Sequence, residues 1–161
     1  MSPSASSQAA AWSAAVNGLR GRLVVDAPAV AASGKFRVDV ELENVGSGPV
    51  ALQGSNPHAY AATLRGAGGA ELPPSFQRGD VLATVQLDQL GPGTQRRFTL
   101  SIESTDGAAS AQLDLTLGAW KLPPGTYQLA ATFSSTGFSG APAGAWQGQL
   151  VLPPVALVVK P

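Results

Sequence analysis

Cysteine is absent from this 161-residue chain, histidine and methionine occur once each, and charged residues make up only 12%. Each shortage excludes something. Without cysteine there is no thiolate nucleophile, no zinc–thiolate site and no disulfide framework. A single histidine with a single methionine leaves a transition-metal site short of its usual ligands. Ten basic and ten acidic residues cancel, so no long-range field draws in nucleic acid or an anionic membrane. No run approaches the roughly 18–20 apolar residues that span a bilayer as a helix. There is also no repeat with a period of roughly 20–50 residues, which argues against a solenoid or propeller.

Patterns that carry chemistry are equally scarce. His58 lies in Ser55-Asn56-Pro57-His58, which reads as a loop. A Ser55/His58 pair lacks a strained nucleophile elbow, because no Gly-x-Ser-x-Gly occurs in the chain. Gly66-Ala67-Gly68-Gly69 is glycine-rich, but no Gly-Lys-Ser/Thr follows it, so it reads as a turn and not as a phosphate cradle. The carboxylates are scattered and never form the Asp-x-Asp-x-Asp-Gly spacing of a calcium loop. No catalytic, cofactor-binding or metal-ligating residue is therefore expected, and the chain does not read as an enzyme.

What the chain does have is 19 glycines, 13 prolines and short apolar alternations, a composition suited to many strands joined by tight turns. Phe36, Val38, Val40 and Leu42 interleave with Arg37, Asp39, Glu41 and Glu43, predicting a strand with one face in a core and one in water. Asn44-x-Gly46 followed by Pro49-Val50-x-Leu52 predicts a hairpin. Further strands are predicted near 19–25, 59–65, 81–90, 97–102 and 111–117, with an edge segment at 28–32. Leu122-Pro123-Pro124-Gly125 is a rigid turn launching Tyr127, Leu129, Ala131 and Phe133 on one face. Its tyrosine sits as in the tyrosine corner of β-sandwiches, with a buried ring and a hydroxyl bonded back to backbone. A final strand over 146–159 is broken by Pro153-Pro154, which predicts a change of pairing partner or a bulge. Arg96-Arg97 straddles the two faces of its strand.

These features predict an all-β fold: an immunoglobulin-like antiparallel sandwich of about eight or nine strands. A flexible arm, residues 1–11, precedes a single domain over residues 12–161; a short helix over Gln8 to Val16 is the alternative for that region. Trp12 is expected to dock onto the sandwich. Trp12, Trp120 and Trp146 each border an alternating strand, where tryptophan usually packs at a core. Exposed aromatics can equally anchor a partner. The candidate partner contacts are Trp12, Trp146, Phe138 in its Gly/Ser/Ala loop, and His58.

The order of these motifs carries a resemblance. Trp12-x-x-x-Val16-x-Gly18-Leu19-x-x-Arg22-Leu23, the Phe36–Leu42 strand, Asn44-x-Gly46 and Pro49-Val50-x-Leu52 resemble the opening of immunoglobulin-like modules in bacterial exported proteins. Leu90-Gly91-Pro92-Gly93-Thr94 through Phe98, then Leu122 to Tyr127, is similar to the later half of the intracellular proteinase inhibitor-like (BsuPI-like) sandwich. The resemblance implies a non-enzymatic module. The leading expectation is a protein-interaction or structural accessory subunit of a larger bacterial assembly, at the cell surface or held near a membrane through its partner. The alternatives are a protease inhibitor using loop 54–58 or 137–145, and a carbohydrate-binding module. No nucleic acid and no transmembrane segment are expected. Met1 to Ala11 has no basic residue ahead of an apolar core and does not read as a secretory signal. The expected location is periplasmic or otherwise extracytoplasmic if a leader lies upstream, and cytoplasmic if not.

Overall fold

The structure, a computed structural model, describes residues 8–26, 29–30, 34–53, 59–74, 76–77, 87–105, 111–115, 118–135 and 144–160. Among the described residues there are thirteen strands and no α-helix. They are β1 (Gln8–Ala9), β2 (Leu19–Asp26), β3 (Ala29–Val30), β4 (Gly34–Asn44), β5 (Val50–Leu52), β6 (Tyr60–Arg65), β7 (Phe76–Gln77), β8 (Asp88–Leu90), β9 (Gln95–Thr105), β10 (Ala111–Leu115), β11 (Gly118–Leu122), β12 (Gly125–Ser134) and β13 (Gln149–Val159).

Two four-stranded sheets dominate: sheet A in the order β1-β2-β4-β9 and sheet B in the order β3-β13-β12-β6. Smaller sheets, β10-β11-β7 and β5-β8, complete the fold. Every strand pair is antiparallel except β3 with β13, which is parallel. Period-two alternation explains the layering. Leu19, Leu23, Val25, Val38, Val40 and Leu42 of sheet A share one buried cluster with Tyr60, Leu64, Leu129, Phe133, Leu150, Leu152, Val155 and Leu157 of sheet B. The sheets come closest at Gly21, where an added Cβ would lie 2.8 Å from Leu42 Cδ2 and 2.9 Å from Leu152 Cδ2. The chain thus adopts the expected all-β, sandwich-like architecture.

The opening strand of the C-terminal half behaves as its sequence requires. β12 lies between β13 and β6, Tyr127 is buried, and its hydroxyl donates to the Pro123 carbonyl at 2.6 Å. The proline-bearing strand bulges as predicted: Leu129 pairs with Val155 but Ala131 pairs with Leu152. Ala130 therefore faces both Pro153 and Pro154. That extra residue brings Val155, Leu157 and Val159 onto the same buried face as Leu150 and Leu152.

Four expectations are corrected. Gln8 to Val16 is not helical. It runs back along β2, with Ala10 N–H donating to Leu23 O at 2.9 Å and Ser13 N–H to Gly21 O at 2.8 Å. Asn17 (φ 49°) and Gly18 (φ 83°) close this hairpin. Two successive positive φ values are what a type I′ turn needs, and Asn-Gly is the pair that tolerates them. The β4–β5 hairpin does not form. Both edges of β4 are occupied by β2 and β9, so β5 leaves the sheet and pairs with β8. Alternation through Phe98, Leu100 and Ile102 is broken by a bulge, since Val38 pairs with Ser101 and Asp39 with Thr99. Leu100 is the extra residue, and Ile102 comes to lie opposite Arg37. Lastly, the charged face of β4 is not in water: Asp39 is 0% exposed and Glu41 7%.

Candidate functional site

The outer face of sheet A is where the described charges gather. Across β2 and β4, Arg20 stands opposite Glu43 and Arg22 opposite Glu41. On the other side of β4, Arg97 stands opposite Glu41 and Gln95 opposite Glu43. Register alone turns these into cross-strand pairs. Arg20 donates to Glu43 Oε2 through Nε at 3.2 Å and Nη2 at 2.9 Å, and Gln95 Nε2 reaches the same oxygen at 3.2 Å. Glu41 Oε1 accepts from Arg22 Nη2 at 3.3 Å and Arg97 Nη2 at 2.9 Å. Asp39 Oδ2 takes Arg37 Nε at 2.9 Å and faces Arg97 Nη1 at 3.6 Å.

The carboxylates lie beneath and the guanidiniums above. Side-chain exposure is 0% for Asp39, 10% for Glu41 and 15% for Glu43, against 27–42% for Arg22, Arg20, Arg37 and Arg97. Long arginine stems cover the acids while their heads stay wet. Two buried atoms, Asp39 Oδ1 and Arg22 Nε, lack a hydrogen-bond partner among the described residues. Trp12 lies on this same face. The guanidinium carbons of Arg20 and Arg22 sit 4.5 and 4.3 Å from its ring centroid, a doubled cation–π contact. Solvent therefore meets guanidinium and indole, not carboxylate.

The candidate contacts fare differently. Trp12 is half-buried on sheet A. Trp146 is 6% exposed; its ring stacks on Phe133 at 5.6 Å and its Nε1 donates to Val16 O at 3.0 Å. It is a core residue, enclosed because its polar tip finds a backbone acceptor inside. His58 and Phe138 lie outside the described residues, as do most of loops 54–58 and 137–145. Trp120 is buried too, donating to Leu72 O at 3.0 Å. With Tyr127, Leu72, Pro73 and Pro123 it lines a shallow cavity of about 320 Å³. The arginine ladder was missed in the sequence, although the signal was present: Arg at 20 and 22, Glu at 41 and 43 and Arg at 97 share the parity of outward-facing positions.

Tyr60 is buried against Phe133 at 5.0 Å. Burial first, then the nearby Asp88 carboxylate, holds its hydroxyl well above the usual phenol range. Burial likewise raises Tyr127. Among the described residues no three His, Cys, Asp or Glu side chains converge as a metal site, and no helix is long and apolar enough to cross a membrane.

Fold and site together define an all-β, sandwich-like protein with a guanidinium-topped sheet face. No protein-family model matches the chain, and no curated protein matches it.

Proposed function

We propose that the chain is a non-enzymatic protein-interaction module, a structural accessory subunit that docks an acidic segment of another protein onto the outer face of sheet A. The observation that carries this reading is the vertical ordering of charge, with carboxylates buried under four partly exposed arginines beside Trp12. The printed bonds of Arg20 use Nε and Nη2, and those of Arg22 only Nη2, which leaves forked N–H donors suited to a carboxylate. In a chain of zero net charge, the attraction is local to this face and not a property of the whole molecule.

The test is a titration with a Glu/Asp-rich decapeptide, followed by calorimetry and by tryptophan emission. Trp12 is the half-buried tryptophan on this face, while Trp120 and Trp146 are buried. Binding that weakens steeply with salt, and at least tenfold in Arg22→Gln, is expected. No heat and no emission change up to millimolar peptide would refute the reading.

A further inference from the structure

The outer face of sheet B differs from that of sheet A in one property: it is almost free of charge. Its rows are set by register. Ala61, Thr132 and Val151 form one row across β6, β12 and β13. Thr63 and Ala130 form the next, followed by Arg65, Gln128 and Ala156, then Thr126 and Val158. Arg65, at one corner, is the only charged side chain in these rows. Val151, at 71% exposure, is the most exposed large apolar side chain described. Solvent-facing sheets usually carry lysine and glutamate that discourage contact between copies. Here the charges sit on the other sheet, and this face consists of alanine, threonine, glutamine and valine.

We propose that the outer face of sheet B binds a second copy of this chain, sheet on sheet, about a two-fold axis parallel to β12. The proposal is independent of the reading given for sheet A. Such an axis exchanges β6 with β13 and keeps each row level. Val151 of one copy then lies over Ala61 of the other, a large side chain over a small one, with Thr132 near its own image. Arg65 meets Ala156 and not the copy's Arg65, so no like charges are brought together. The mean strand directions of stacked sheets differ by about 30°, which these small side chains accommodate. Size sets the strength. Three strands spaced about 4.8 Å apart and about 30 Å long outline roughly 450 Å² per copy. That is about half of the ~800 Å² per partner in a standard interface, so the dimer is weak and concentration-dependent.

Sedimentation equilibrium of the full chain from about 10 µM to 1 mM tests this. The expected result is a reversible monomer–dimer equilibrium, unweakened by raising salt. Val151→Lys and Gln128→Lys, both at exposed positions that leave the core intact, should each weaken it at least tenfold. A monomer throughout the range overturns the proposal, as does a dimer that neither lysine variant weakens. A dimer that dissolves in salt also overturns it, since that places the contact on charged residues. None of these outcomes depends on the acidic-peptide titration, so the two readings fail separately.

Discussion

Replacing Asn44 by alanine should destabilise the protein far more than a turn residue ordinarily does. Asn44 is 0% exposed at the end of β4. Its Nδ2 donates to Gly48 O at 2.8 Å and Leu90 O at 3.0 Å, and its Oδ1 accepts from Gly46 N–H at 2.9 Å. Its backbone is engaged as well, donating to Thr94 O and accepting from Gly93 N–H. One side chain therefore ties the end of sheet A to the β5–β8 sheet and to the turn before β9. Alanine leaves the backbone bonds in place but orphans two carbonyls and one amide. The buried Leu90 carbonyl should cost about 1–3 kcal/mol and the two less buried partners about 1 kcal/mol each, a total near 3–5 kcal/mol. A chain this size loses roughly 2–4 °C of Tm per kcal/mol, so Tm should fall by about 10 °C. Urea titration followed by tryptophan emission should show a lower midpoint with an unchanged slope. Asn44→Asp should be at least as damaging, because it turns carboxylate oxygen toward two carbonyl oxygens. A loss below about 1 kcal/mol for Asn44→Ala, or an aspartate variant as stable as the parent, would refute the hub role given to this amide.

Three further outcomes are expected. Deleting Pro154 removes the bulge residue and turns Val155, Leu157 and Val159 outward; at about 1.5–3 kcal/mol for each buried side chain the loss rivals the whole stability of a domain. Pro154→Ala keeps the residue count and should cost under about 1.5 kcal/mol, a contrast readable by circular dichroism melts. Tyr127→Phe removes the bond to Pro123 and should cost about 1 kcal/mol in urea titrations. Alkaline pH should also destabilise the fold. Tyr60 and Tyr127 keep their protons longer when folded than when unfolded, so their stabilisation is intact below the ordinary phenol pKa of 10.0. It is lost as pH rises through the folded values; Tyr60→Phe should flatten that decline in denaturation series run from neutral to alkaline pH.

Local rules explain which parts of the fold were legible in the sequence. The Leu122–Gly125 turn, the tyrosine corner and the Pro153-Pro154 bulge each depend on residues a few positions apart, and all were readable. Parity predicted which side of β4 faces the core, but not that Asp39 would be buried, because its cover comes from arginines on β4 and β9. The β5 strand was placed correctly and partnered wrongly, since pairing depends on whether β2 and β9 have already taken the edges of β4. Leu100 looked like one more apolar step in an alternation; only the β4 register shows it to be the bulge. Asn17-Gly18 was the missed local signal, and it alone would have turned the supposed helix into a hairpin. Of the candidate contacts, Trp12 lies on the charged face, while Trp146 turned inward because Val16 offers its ring nitrogen an acceptor 130 positions away in the chain.

That contact also bears on the order of events during synthesis. The segment before β2 is fastened at its turn by Asn17 Nδ2 donating to Gln147 O at 2.7 Å and by Trp146 Nε1 donating to Val16 O, both spanning 130 positions. At roughly 5–20 residues per second, a ribosome takes on the order of ten seconds to supply the second half of each bond. Until then the hairpin closed by Asn17 and Gly18 exists as a two-stranded ribbon, marginal on its own in water. The N-terminus is thus made first and secured among the last, and the stretch around Trp146 acts as the clasp.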